Sequence, residues 1–240
     1  MKIHMVLQGK GGVGKSFISS TLAQYKQSKG QMPLCIDTDP VNATFHGYES
    51  LKVKRLDIME GTVIDSRNFD LLVEWLSGIE NDAVIDNGAA TFVPLADYLI
   101  CNGVSDLLQG MGHELVIHTV ITGGQAMMDT VGGFAALVQQ FPDPITFVVW
   151  LNPYWGIIEH EGKAFEQFRI YLEYKHRVSA IVSIPTLQGQ TFGRDLSDML
   201  QSKRTFDECL ADPSLTIMTR QRLKLIKNQL FERMDAAAVL

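Results

Sequence analysis

Gly9-Lys10-Gly11-Gly12-Val13-Gly14-Lys15-Ser16 follows, one residue on, the apolar run Ile3-His4-Met5-Val6-Leu7. These eight residues fit G-x-x-x-x-G-K-[ST], a loop that joins a strand to a helix and cradles phosphate. The flanks agree with that reading. A β-rich segment precedes the loop, and Phe17, Ile18, Leu22 and Tyr25 continue after it with helical spacing. Glycines allow backbone N–H groups to point inward at phosphate oxygens, and the next helix adds the positive end of its dipole. In such a loop Lys15 contacts the β- and γ-phosphates and the Ser16 hydroxyl ligates Mg2+. The motif therefore predicts a nucleotide-binding chain, gripping its ligand from Gly9 through Phe17.

Outward from the loop, apolar runs alternate with helical patterns. Strands are expected at Ile3 to Leu7, Pro33 to Asp37, Ala83 to Asp86, Val116 to Thr122, Ile145 to Leu151 and Val178 to Ile184. Helices are expected at Gly14 to Ser28, Arg67 to Ser77, Thr91 to Ile100, Gly124 to Gln140, Lys163 to Glu173, Phe192 to Gln201 and Thr216 to Met234. Phe141-Pro142-Asp143-Pro144 punctuates the entry to one strand and Asn152-Pro153 its exit. Continuous apolar strands suit a sheet covered on both faces. The expected class is α/β: a P-loop NTPase with a mostly parallel twisted sheet and helices on both faces. No repeat or linker divides the chain, so one domain is expected over residues 1–240.

Composition narrows the setting. The chain is 46% apolar and 20% charged, ordinary for a globular protein, and its net charge of −6 argues against a strongly basic nucleic-acid-binding domain. No run approaches the roughly 20 apolar residues of a membrane span, and the chain enters a strand without a signal-peptide pattern. Cys35, Cys101 and Cys209 form no C-x-x-C pair, which reads as reduced thiols in the cytoplasm.

Lys10 is a second cation near the start of the loop, giving K-G-G-V-G-K-S. This resembles the deviant Walker A signature of the ParA/MinD family of ATPases. The resemblance implies that Lys10 reaches across a dimer interface to the partner's phosphates, acting in trans as an arginine finger does. Asp37-Thr38-Asp39-Pro40-Val41-Asn42-Ala43-Thr44 is similar to the family's first switch. It implies that Asp39 orients the hydrolytic water and Asp37 holds the Mg2+ hydration shell. Read alone, Asp39-Pro40 also suits an Asx-turn. Ala83-Val84-Ile85-Asp86 matches the Walker B arrangement, with Asp86 binding Mg2+ through water; Asn87-Gly88-Ala89-Ala90, the implied second switch, departs from the family's usual residues.

The guanine-reading N-K-x-D is absent, which favours ATP. Family members often place an asparagine where Asn152 stands, against adenine, and a further contact region near Ile184-Pro185-Thr186. Asn152 reads equally well as a turn residue before proline. The likeness from Met1 through His46 is to family members of plasmid conjugal transfer. The implied protein is a Mg2+-dependent ATPase that forms an ATP-dependent homodimer, hydrolyses slowly and meets conjugation or secretion proteins. A nucleotide-gated scaffold without turnover and a small-molecule phosphotransferase are its rivals.

Other features are demoted. His113-Glu114-Leu115-Val116-Ile117-His118 has one residue too many for H-E-x-x-H, so strand or loop histidines are expected. Met127-Met128 and Gly132-Gly133 are expected to serve core packing and close backbone approach. Arg220, Arg222, Lys224, Lys227 and Arg233 accompany Leu223, Ile226, Leu230 and Met234 on the last helix. Core packing by the apolar stripe is favoured there over membrane or DNA contact.

Overall fold

The computed structural model describes residues 1–143 and 145–240. Pro144, part of the expected punctuation, lies outside the described residues. Along the chain run β1 Lys2–Val6, α1 Lys15–Ser28, β2 Leu34–Asp37, β3 Lys54–Arg55, β4 Met59–Glu60, β5 Val63–Ile64 and α2 Phe69–Ser77. Then come β6 Ala83–Asp86, α3 Phe92–Cys101, α4 Val104–Gly110, β7 Glu114–Thr122, α5 Met127–Gln140, β8 Thr146–Asn152, β9 Glu159–His160 and β10 Lys163–Ala164. The chain finishes with α6 Arg169–Tyr174, β11 Val178–Ser183, α7 Arg194–Gln201, α8 Phe206–Ala211 and α9 Ile217–Asp235.

Seven strands form one sheet in the order β11-β8-β7-β1-β6-β2-β3, and every pairing in it is parallel. Alternate side chains feed two apolar layers, as a pleated strand requires. From β1, Ile3 and Met5 enter the layer under α2, α3, α4 and α5, while Val6 enters the layer under α1, α7, α8 and α9. Both faces are thus covered, and this explains the near-continuous apolar strands. No helix among the described residues is long and apolar enough to cross a membrane.

α9 packs by its apolar stripe. Leu223, Ile226, Leu230 and Met234 are buried in the second layer. Three of its five cations are paired: Arg222 Nε meets Asp195 at 2.5 Å, Lys227 Nζ meets Asp207 at 2.5 Å, and Arg233 donates to the Ser183 carbonyl. His118 lies buried in β7, where Trp150 Nε1 donates to its Nδ1 at 2.9 Å and His4 Nδ1 faces its Nε2 at 2.9 Å. The strand reading of that histidine holds.

Three expectations need correction. Lys163 to Glu173 is not one helix: Lys163–Ala164 pair antiparallel with Glu159–His160, a short 310 turn follows, and α6 covers only Arg169–Tyr174. Glu161 and Gly162 both take positive φ (51° and 73°), the requirement of a two-residue hairpin turn whose twist matches the strands. Phe165, 1% exposed, then stacks edge-on against Phe134 and fixes the segment on the core. Met128 is exposed and a Cβ on Gly132 would meet nothing, so only Met127 and Gly133 serve the packing expected of α5. Short α4 and α8, and the hairpin β4–β5, were not anticipated.

Leu230 is fully buried in α9, whereas Lys224 is exposed on the same helix. Replacing Leu230 by Ala is expected to cost about 2–5 kcal/mol in urea unfolding. Lys224→Ala should stay within about 0.5 kcal/mol.

Candidate nucleotide site

Parallel register decides which residues meet. Val6 of β1 stands opposite Asp86 of β6, and Asp86 stands opposite Asp37 of β2. The loop after β1 therefore emerges beside two carboxylates at the same end of the sheet, where open α/β folds bind ligands.

The loop is held by contacts that reach far along the chain. Gln8, fully buried, donates through Nε2 to the Val120 carbonyl (3.0 Å) and the Thr130 carbonyl (3.1 Å), tying the loop base to β7 and α5. Asn152 Nδ2 donates to the Val13 carbonyl at 2.9 Å, and its Oδ1 accepts from the Tyr154 N–H at 3.1 Å. Trp155 Nε1 donates to the Gly12 carbonyl at 3.3 Å. Gly12 and Gly14 take φ of 72° and 103°, left-handed conformations that a residue with a Cβ would adopt only under strain. A Cβ at Gly14 would also sit 2.9 Å from the Asn152 amide nitrogen.

The two lysines of the loop point to different places. Lys15 is 8% exposed and its Nζ donates to the Lys10 carbonyl at 3.0 Å. Burial lowers its pKa, with Asp86 and Asp39 opposing that shift. Lys10 extends outward instead, its Nζ 2.7 Å from Asp129 on α5, with 44% of the side chain exposed.

Asp86 is buried and accepts from Ser19 Oγ at 2.9 Å, with the Ser16 hydroxyl as a second hydrogen-bonding neighbour. Burial pushes its carboxyl up to about 7; Asp37 adds to the shift, and the serines and Lys15 oppose it. Asp37, also buried, accepts the backbone N–H groups of Asp39 and His46 at 2.9 Å each. Its pKa is raised, again mainly by burial. A carboxylate this costly to ionise is stabilised by a cation at its oxygens. No cluster of three His, Cys, Asp or Glu at metal-ligating spacing occurs among the described residues. Mg2+ does not need one, because it is held by one or two carboxylates, a hydroxyl, waters and phosphate oxygens. Asp86 and Ser16 fit that pattern, while Asp37 holds the following loop.

Asp39 Oδ1 accepts from Val41 N–H (2.9 Å) and Asn42 N–H (3.0 Å), forming the Asx-turn that the Asp-Pro pair suggested. Its carboxyl lies so close to Gly88 that a Cβ there would approach Asp39 Cγ to 2.6 Å. The two loops are cross-tied through Thr38, whose Oγ1 lies 3.0 Å from the Asp86 carbonyl and 3.1 Å from Asn87 Oδ1, its single proton shared between them.

Two cavities open on this surface. One, of about 610 Å3, is lined by Gly11, Lys15, Ser16, Asp39 and Asn87. The other, about 510 Å3, is lined by Asn152, Pro153, Ile184, Pro185 and Thr186. They share Gly12, Gly14, Phe17, Leu200 and Lys203. The first cavity brings loop residues Gly11, Gly12, Gly14, Lys15 and Ser16 together with Asp39, and Asn152 lies at the second. Asp37 and Asp86 do not line the first cavity; they stand buried, abreast at the adjoining strand ends. Gln8, Thr38 and Lys203 were missed, since nothing in their local sequence marks them.

Residues 4–235 match the family model described as the CobQ/CobB/MinD/ParA nucleotide binding domain. Two Escherichia coli proteins named Protein TraL are 66% and 67% identical over 239 residues, covering 100% of this chain and 99% of each relative. Among solved structures, the MinC:MinD cell division complex of Aquifex aeolicus is similar with TM-score 0.55 at 15% identity, covering 97% of this chain and 96% of that one. MinD of the same organism gives TM-score 0.53 at 16% identity, covering 97% of both.

The folded Asp86 carboxyl retains its proton up to about pH 7, whereas in the unfolded chain it ionises near pH 4. Its contribution to stability is therefore greatest in acid and is lost as pH rises through about 7. Asp86→Asn removes that dependence. In urea unfolding without nucleotide or metal, the variant should gain roughly 2–3 kcal/mol on wild type between about pH 5 and about pH 8. A constant difference across that range would refute the assignment.

Proposed function

The chain belongs to the CobQ/CobB/MinD/ParA nucleotide-binding domain family, and from that premise we propose that it is a Mg2+-dependent ATPase. In this reading it dimerises around two ATP molecules and hydrolyses them slowly. The observation that carries the proposal is the divergence of the two loop lysines. Lys15 turns inward beside Asp86 and Asp39, while Lys10 extends from the rim to Asp129. A lysine that extends from the rim, away from its own cavity, supports a role toward a neighbouring subunit.

The residues divide the work by position. Backbone amides from Gly9 to Ser16 receive the phosphates, and Lys15 neutralises the β,γ end. Ser16 and Asp86 hold the divalent ion, which supplies charge neutralisation on the phosphate oxygens when bound. Asp39 orients the attacking water, with Gly88 close against it; Asp37, which accepts the Asp39 and His46 amides, fixes that loop and holds the Mg2+ hydration shell. Lys10 stabilises charge on the transferring phosphoryl group of the partner's nucleotide. Asn152 and the Ile184-Pro185-Thr186 segment border the base.

Such positioning catalysis couples chemistry to assembly, because switch loops ordered by the γ-phosphate relax after hydrolysis. The likeness to the TraL proteins supports a place in plasmid conjugal transfer, in the bacterial cytoplasm, with conjugation or secretion proteins as partners. One observation favours a second reading, a nucleotide-gated scaffold without turnover: Asp39 Oδ1 is already occupied by two backbone amides. Single-turnover hydrolysis of labelled ATP separates the two readings.

Lys10→Ala is expected to bind ATP within about threefold of wild type, since the side chain lies outside its own cavity. The same variant should lose the ATP-dependent doubling of mass in light scattering. Lys15→Ala should lose binding itself. Equal ATP-dependent dimerisation of wild type and Lys10→Ala would overturn the trans role.

A further inference from the structure

α7 ends in a left-handed cap. Lys203 N–H bonds the Leu200 carbonyl at 3.2 Å, and Arg204 N–H bonds the Met199 carbonyl at 3.2 Å. That pair of bonds is the Schellman motif, whose left-handed residue is usually glycine. Here it is Lys203, with φ of 53°. A lysine in that conformation is strained, because its Cβ crowds the neighbouring carbonyl. Lys52 and Glu161 share this conformation, but of the three only Lys203 lines the cavities beside the glycine loop, the kind of place where such strain clusters.

Three observations say what the side chain does there. Lys203 lines both cavities, at the border where the Gly11-to-Ser16 surface meets the Asn152-to-Thr186 surface. Among the described residues, its Nζ takes part in no ion pair, although Arg204 next to it is paired with Asp212 at 2.8 Å. Its stem lies against Gly47 so closely that a Cβ there would come within 3.1 Å of Lys203 Cγ. The segment after Asp39 therefore leaves room for the lysine to pass.

We propose that Lys203 is a third nucleotide-binding cation, acting within its own subunit on the phosphates nearest the sugar of a nucleoside di- or triphosphate. Lys15 already stands at the loop end of the first cavity, and Lys203 stands at the end shared with the second. A ligand spanning both cavities passes its sugar-proximal phosphates between them. Di- and triphosphates have that part in common, so Lys203 contributes equally to both. This inference rests on the nucleotide site proposed above.

The test is calorimetric titration of ATP and of ADP, each with Mg2+, into the full chain and its variants. Lys203→Met keeps the stem and the backbone conformation but removes the charge. It should weaken ATP and ADP alike by roughly tenfold, the size of one charge-assisted contact, and Lys203→Arg should restore most of the loss. Lys203→Gly should weaken both ligands to the same degree with Tm unchanged or raised, because the cap favours glycine. Opposite movement of affinity and Tm is not expected of a purely structural residue. Wild-type affinities retained in Lys203→Met overturn this inference alone, as does a loss confined to ATP. Absence of binding to wild type overturns the site reading itself.

Discussion

One rung of the parallel sheet organises this protein. Val6, Asp86 and Asp37 lie abreast on β1, β6 and β2, so the glycine loop leaves the sheet beside two acids that are far apart in sequence. Parallel pairing aligns strand ends as well as strand middles, and a slip of one residue on β6 would turn Asp86 to the opposite face. The register is fixed by burial on both sides: Ile85 faces one apolar layer and Val84 the other. Apolar packing throughout the sheet thus sets the position of charges at its edge.

The electrostatics of that edge follow from its dryness. Asp86 and Asp37 are abreast in a buried place; burial raises both pKa values, and on top of it Asp37 raises that of Asp86 while Asp39 raises that of Asp37. Lys15 is shifted in the compensating direction by the same desolvation. Serine hydroxyls and backbone amides satisfy the carboxyl oxygens without supplying charge. The arrangement favours ligands that bring a cation to Asp86 and an anion to Lys15 together, which is what a metal-bound polyphosphate does.

Much of this was legible in the sequence, for a physical reason. The loop, the Asp37-to-Thr44 segment and the strand ending in Asp86 are local patterns, because backbone geometry dictates residue type within a few positions. The six long strands showed as apolar runs for the same reason. What stayed hidden depends on partners remote in the chain. Gln8 has meaning only against Val120 and Thr130, and Asn152 braces Val13 while also lining the second cavity. The hairpin at Glu159 to Ala164 escaped because its strands are two residues long and one of its turn residues is a glutamate at positive φ. Lys203 escaped because a cap lysine looks like any surface cation until the cavity beside it is known.

The site is also where the fold is least at ease. Asp86 and Asp37 are costly to ionise, Lys15 is desolvated, the loop relies on glycines that give up backbone entropy, and Lys203 occupies a glycine conformation. None of these features helps the empty protein fold, and the two apolar layers must offset all of them. A ligand that relieves them binds the native state alone and stabilises it by RT ln(1 + L/Kd) at ligand concentration L, which grows with the logarithm of L once the site is filled. The same residues that recognise the ligand therefore make the rigidity of this end of the sheet depend on it. Because Asp39, Gly88 and Thr38 tie the two loops to one another, ordering one of them carries the other along. Through that coupling, whatever orders one loop bears on the other without any element of the sheet having to move.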